Sequence, residues 1–232
     1  MIPLLLTLSA VAACPETTVA DLVAEVPAPA IVVLGERHGE RKELRRAAEV
    51  VEALAARGPV TVALEAIHAD HQDAATALTE HGKKGRFKRD SEWKRSWGFP
   101  LGAYWPVIRQ ATDGVVLVGA GLDLGPAPAE REIRIPDGYE AALLEAMEGH
   151  EMSDEVRARF ARSMAWRDLR IAELAVDGWS GEGTLVILTG RGHVEGGRGV
   201  TFQLEALSDA PVRAALLDGE DAECPAGIPA IR

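Results

Sequence analysis

Cysteine is nearly absent from this chain of 232 residues: Cys14 and Cys224 are the only two. No disulfide framework and no cysteine-rich zinc module can hold such a sequence together, so any metal would rely on His, Asp, Glu or Tyr. Tyrosine is as scarce, with Tyr104 and Tyr139 alone. Basic residues are in deficit. A formal net charge of −11, from 25 Lys and Arg against 36 Asp and Glu, argues against the broad basic face that nucleic acid requires. With 47% hydrophobic and 26% charged residues the chain is neither disordered nor a polytopic membrane protein, and its length suits one substantial core rather than two.

What is present begins at the N-terminus. Residues 1–13 are apolar or small and end in Val11-Ala12-Ala13-Cys14. The stretch is too short to cross a bilayer as a helix, and it looks like a bacterial lipoprotein signal. On that reading residues 1–13 are a cleaved leader and residues 14–232 form a single domain. Cys14 becomes its lipidated first residue, anchoring it in the cell envelope to a bacterial membrane, at the outer membrane on its periplasmic side or surface. The alternatives are a buried first strand, or a disulfide between Cys14 and Cys224.

Further along, continuous apolar runs at Ala30–Leu34, Val60–Leu64, Val115–Val118 and Thr184–Leu188 read as strands covered on both faces. Helical periodicity separates them. Leu44, Ala47, Ala48, Val51, Leu54 and Ala55 mark one helix, stopped by Gly58-Pro59. Ser153 starts a long one, with Val156, Phe160, Met164, Arg167, Ile171 and Leu174 on one face. Residues 199–204 and 212–217 read as the last strands. The alternation predicts an α/β fold: a mostly parallel central sheet, helices on both faces, and a helical insertion between the second and third of these strands.

Ligands of such sheets collect at the carboxyl ends of the strands. Glu36 and His38 follow the first run in Gly35-Glu36-Arg37-His38, Glu65 ends the second, and His193 follows the fourth in Gly190-Arg191-Gly192-His193. Two Gly-x-x-His turns with a carboxylate between them are more specific than one. Imidazole and carboxylate suit a divalent metal such as zinc, manganese, iron or cobalt; they equally suit metal-free chemistry with histidine as general base. His68 and His71 can face one target or be solvated surface; His81 and His150 stand in polar surroundings. Between residues 83 and 105, Lys83, Lys84, Arg86, Lys88, Arg89, Lys94 and Arg95 interleave with Phe87, Trp93, Trp97, Phe99, Tyr104 and Trp105. Such a segment can hold a flat anionic ligand such as haem, can contact nucleic acid or anionic lipid, or can be an amphipathic flap whose aromatics are core. Arg167-Asp168 reads as a structural ion pair.

Taken in order, Val33-Leu34-Gly35-Glu36-Arg37-His38, Ala63-Leu64-Glu65, Gln72, Trp97 with Tyr104 and Ala111, Arg167-Asp168, and Gly190-Arg191-Gly192-His193 with Gly199-Val200 resemble the ChaN-type haem-binding lipoproteins, which share a superfamily with the Tiki metalloproteases and the erythromycin esterases. The resemblance covers residues 30 to 207. It implies an α/β core, a lipid anchor, a link to iron or haem uptake, and homodimers that sandwich haem. The haem ligand of that family is a tyrosine, which points to Tyr104, with Arg95 and Trp97, as the cofactor-binding set. Its hydrolytic relatives imply instead that Glu36, His38, Glu65 and His193 bind a metal or activate water as a catalytic set. The sequence departs from the family pattern at Gly39, where an Asp is common, and at Ala66-Ile67, where a Met and an aromatic are common.

Overall fold

The computed structural model describes residues 14–122, 127–145, 152–219, 224 and 227–232. The leader expected over residues 1–13 and His150 lie outside the described residues. β1 (Glu16–Thr17) and α1 (Val19–Glu25) precede β2 (Ala30–Glu36) and α2 (Arg41–Ala55). β3 (Val60–His68) leads into α3 (Gln72–His81), α4 (Lys84–Asp90), α5 (Trp93–Ser96) and α6 (Leu101–Ile108), and then β4 (Val116–Gly121). There follow α7 (Tyr139–Glu145), α8 (Asp154–Asp177), β5 (Thr184–Gly190), α9 (Val200–Leu204), β6 (Val212–Leu216) and β7 (Ala230–Ile231).

The strands form one seven-stranded sheet of order β1-β7-β6-β2-β5-β3-β4, and every pairing is parallel. Parallel neighbours need crossovers, and the crossover helices cover both faces. That is why β2 and β5 are buried at every residue and read as unbroken apolar runs. Alternate side chains serve the two layers. Val32, Leu34, Val62, Leu64, Val186 and Leu188 pack under α1 to α6, whereas Ile31, Val33, Ala63, Leu185 and Ile187 pack under α8 and α9. Each fully buried aliphatic side chain contributes about 1.5–3 kcal/mol. The four helices α3 to α6 are the expected insertion.

β4 is an edge strand, and unpaired edge groups invite association. Gln72 covers it: its Nε2 donates to the Leu117 carbonyl at 2.9 Å and its Oε1 accepts from the Gly119 amide at 2.8 Å, so a side-chain amide pairs the edge as another strand would.

Three sequence expectations are corrected. Residues 200–204 are helical, because Val200, Gln203 and Leu204 are buried at i, i+3 and i+4, a spacing that a strand cannot place on one face. On α8 the buried face is Ala161, Ala165, Asp168, Ala172 and Ala175 together with Ile171, while Val156 is exposed and Phe160, Met164 and Leu174 are half-buried. Small side chains let a helix lie close to the layer beneath it. Finally, Cys14 and Cys224 are joined by a disulfide. A sulfur held in a disulfide cannot also carry a thioether lipid, so the structure takes the alternative to lipidation at Cys14.

Candidate functional site

β5 lies between β2 and β3, with Glu36 in register with Gly190 and Leu64 with Leu188. The carboxyl ends of three parallel neighbours therefore meet at one rim, and Glu36, His38, Glu65 and His193 come together there. They assemble as two carboxylate–histidine pairs flanking a third carboxylate.

The first pair is built on the turn after β2. Glu36 is buried, and its Oε1 accepts from His38 Nδ1 at 2.7 Å and from the Tyr104 hydroxyl at 2.8 Å. The same hydroxyl accepts from the Gly39 amide at 3.1 Å. Gly39 has φ +80°, and a Cβ there would meet Phe99 Cδ1 at 2.9 Å, so no other residue fits that turn unstrained. Glu43 fixes the turn from α2, its carboxylate accepting from the Arg37 backbone and guanidinium, both at 2.7 Å.

The second pair joins β5 to α8. His193 Nδ1 donates to Asp168 Oδ1 at 2.6 Å, and Tyr139 donates its hydroxyl to Asp168 Oδ2. Asp168 is fully buried and His193 nearly so. Glu65 stands between the pairs: its Oε2 accepts from Thr189 Oγ1 at 2.8 Å and the Gly190 amide at 2.9 Å, and its Oε1 lies 3.7 Å from His193 Nε2.

Burial opposes the charge on all three central groups, and the neighbours outweigh it. Burial disfavours the His38 imidazolium, yet the hydrogen bond to Glu36 and the charges of Glu65 and Glu36 hold its pKa above the ordinary 6.5. Burial likewise disfavours charged His193, but the Asp168 hydrogen bond and charge, with Glu65, raise it. Glu65 is held below the usual carboxylate range despite its burial, by His193, the Gly190 amide, His38 and Thr189. Burial, with Glu36 and Asp168 respectively, pushes the Tyr104 and Tyr139 hydroxyls far up, so both remain neutral donors.

The site opens into a cleft of about 270 Å³ lined by residues including His38, Glu65, His68, Trp97, Phe99 and Arg167. The His38 side chain is 33% exposed there. A Cβ added to Gly190 would sit 2.9 Å from His38 Nε2 and 3.7 Å from Glu65 Oε2, so the absence of a side chain at 190 keeps open a space that both groups border.

The sequence matches the family described as haem-binding uptake, Tiki superfamily, ChaN, over residues 22–127 and 123–204. The chain belongs to this family. Among solved structures, the ChaN fold is shared with ChaN of Campylobacter jejuni, described with cofacial haem binding, at TM-score 0.63 and 17% identity over 83% of this chain and 85% of that one. The type III effector HopBA1 matches at TM-score 0.51 and 16% identity, over 89% and 86%. No curated protein sequence matches the chain.

Neither cofactor expectation carries over unchanged to this ChaN-family chain. Among the described residues no three His, Cys, Asp or Glu side chains are arranged to hold a metal ion. Both His Nδ1 atoms, Glu36 Oε1 and Glu65 Oε2 already have partners, and His193 Nε2 faces Glu65 at ion-pair spacing; Glu36 Oε2 alone among these groups is buried without a partner, so the expected four residues do not converge as a metal-ligand set. Tyr104 does not fit as a haem ligand either: it is buried behind Glu36 with its oxygen donating and accepting, and Tyr139 is equally enclosed. Arg95 is exposed, pairs with Glu92 and is not among the residues lining the cleft. Trp97 does reach it, with its ring centroid 4.8 Å from that of His38. Half of the segment's aromatics are core, with Phe87, Trp93 and Tyr104 buried, and Trp97 and Trp105 are partly buried against them. His68 lines the cleft and contacts His71, ring centroids 5.8 Å apart; His81 is on the surface beside Glu80.

Sequence reasoning missed the role of Asp168, which pairs with His193 rather than Arg167. Its place on the alanine stripe of α8 was the available signal. Tyr139 and Thr189 carried none.

Proposed function

We propose that this ChaN-family chain is an exported envelope protein whose cleft activates water, without a metal, to hydrolyse a carbonyl ester or amide. The observation that carries this is the pair of carboxylate–histidine units facing one small polar cleft with Glu65 between them, an arrangement for which haem capture has no use. Neutral His38 keeps its Nδ1 proton on Glu36, leaving Nε2 to accept a proton from a water beside Glu65. The water oxygen attacks the carbonyl carbon, and the proton taken by Nε2 passes to the leaving oxygen or nitrogen as its bond to carbon breaks. His193, charged and enclosed by Asp168 and Glu65, keeps Glu65 ionised and takes no part in proton exchange. Export is supported by the Cys14–Cys224 disulfide, a bond favoured in oxidising compartments.

A panel of nitrophenyl esters and fluorogenic peptides, offered to chelator-treated protein, tests the reading. Turnover should survive chelation and fall by about a hundredfold or more in His38→Ala and Glu65→Gln. No turnover across the panel, or turnover restored only by added metal, refutes it.

The family match favours a second reading, haem at the mouth of the cleft for iron or haem uptake. With both tyrosines enclosed, His38 flanked by Trp97 and Phe99 is the set left to receive it, its Nδ1 fixed by Glu36. A Soret shift on haemin titration that is kept in Tyr104→Phe and lost in His38→Ala supports this; loss in Tyr104→Phe refutes it. Sedimentation with and without haemin tests whether two copies pair.

A further inference from the structure

Arg167 is the only Lys or Arg lining the cleft among the described residues, and no acceptor there takes a hydrogen bond or ion pair from it. It is half-buried on α8, one residue from Asp168 but on another side of the helix. Several other arginines of the fold are engaged. Glu173 takes Arg131 and Arg170, Asp90 takes Arg86 and Arg89, and Glu43 takes Arg37. A guanidinium with five donors and no acceptor, partly withdrawn from water, is set to receive an oxyanion.

The carboxylates of the site have other partners: Glu36 takes His38, Asp168 takes His193 and Glu65 takes Thr189 and the Gly190 amide, so the donors of Arg167 are left for a ligand. Trp97, Phe99, Leu122 and Ile171 supply an apolar wall alongside. Between residues 83 and 97, seven basic residues stand against Asp90 and Glu92, and this segment runs into Ser96 and Trp97 at the cleft. On a chain of net charge −11 that local positive field draws anions toward the mouth.

We infer that Arg167 anchors a carboxylate or phosphate carried by the substrate beside the bond that is cleaved, so that the substrate class is a small ester or amide with an apolar body and one anionic group. The inference rests on the hydrolytic reading for what is cleaved, but anion binding is measurable without turnover.

Benzoate and benzamide share a ring and differ in charge, and inorganic phosphate separates the two anion chemistries. Calorimetric titration of the full chain should show saturable binding of benzoate at least about tenfold tighter than of benzamide. Arg167→Gln should abolish that difference and Arg167→Lys should keep part of it. The Gln variant should melt with the wild type, since no hydrogen bond or ion pair is lost. Equal affinity for benzoate and benzamide, no binding of benzoate or phosphate, or unchanged benzoate affinity in Arg167→Gln overturns the assignment. Anion binding without hydrolysis sinks the catalytic reading and leaves the anchor standing; hydrolysis without Arg167-dependent anion binding does the reverse. Haemin and its dimethyl ester identify the owner of the carboxylate. Tighter haemin binding that Arg167→Gln removes places a haem propionate at Arg167, and equal binding of the two with benzoate retained places a small substrate there.

Discussion

Replacing Asp168 by Asn tests the electrostatics of the site at its most enclosed point. Asp168 has no exposure and accepts from two donors, His193 Nδ1 and the Tyr139 hydroxyl. The amide keeps the shape and can still accept from one of them, so what disappears is chiefly the charge opposite His193. Removing one member of a buried ion pair costs about 3–5 kcal/mol. At about 2–4 °C per kcal/mol for a chain of this size, the variant should melt roughly 10 °C lower. The pH dependence is the sharper signature. Burial lowers the His193 pKa, but the Asp168 hydrogen bond and charge raise it above 6.5 in the folded state. A raised folded value means that the pairing stabilises fully below the unfolded value and is lost as pH rises through the folded one. Urea midpoints of both proteins, measured between about pH 5.5 and pH 9, should therefore differ most at the acid end and converge toward the alkaline end. A gap that stays constant, or widens with pH, would show that Asp168 acts by packing alone and would remove the second carboxylate–histidine pair from the site.

Hydrolysis should rise with pH through a limb whose midpoint lies above 6.5, the raised value of His38, and Glu36→Gln should move that limb down; a limb unmoved by Glu36→Gln would exclude His38 as the base. Gly190→Ala would place a methyl group 2.8 Å from His38 Cε1 and should cost turnover at least about tenfold with little change in melting; normal turnover would show that the space above Gly190 is not where reaction occurs. Gln72→Leu removes both bonds to the β4 edge and should cost about 1–3 kcal/mol, with self-association visible by light scattering; a monodisperse, equally stable variant would mean that the edge needs no cover. Cys14→Ser opens a loop spanning a sequence separation of 210 and should lower stability by up to about 5 kcal/mol, an effect that reductant reproduces in the wild type. An acylated Cys14 in the mass spectrum of envelope-purified protein would refute the disulfide.

Much of the sheet is legible because parallel strands buried on both faces leave unbroken apolar runs, as β2, β3 and β5 do. β1 and β7 have two residues each, too few to carry any period. α9 misleads because Val200 and Thr201 favour strands, while tertiary packing wants Val200, Gln203 and Leu204 on one side. The buried face of α8 is hidden in alanines, which weigh little in a search for large apolar residues although they make the closest contacts. At the site, glycine-flanked histidines and a strand-borne glutamate are visible in one dimension. Asp168 is not, since its neighbour Arg167 suggests a local pair, whereas the folded chain turns Asp168 inward to His193 and Tyr139. Tyr104 misleads for another reason: the resemblance to a family with a tyrosine haem ligand points to it, whereas its hydroxyl is committed to Glu36 and Gly39.

The disulfide also sets how the molecule carries load. Cys14 stands just ahead of β1 and Cys224 shortly before β7, and the two strands are paired neighbours. Tension applied between a tether upstream of Cys14 and a grip beyond Cys224 crosses a single sulfur–sulfur bond, and everything between them hangs slack in a closed ring. Under such a pull β7, which lies beyond Cys224, is the strand that bears force, whereas β2, β3 and β5 with the cleft at their ends lie inside the ring and carry load only once the bond is reduced.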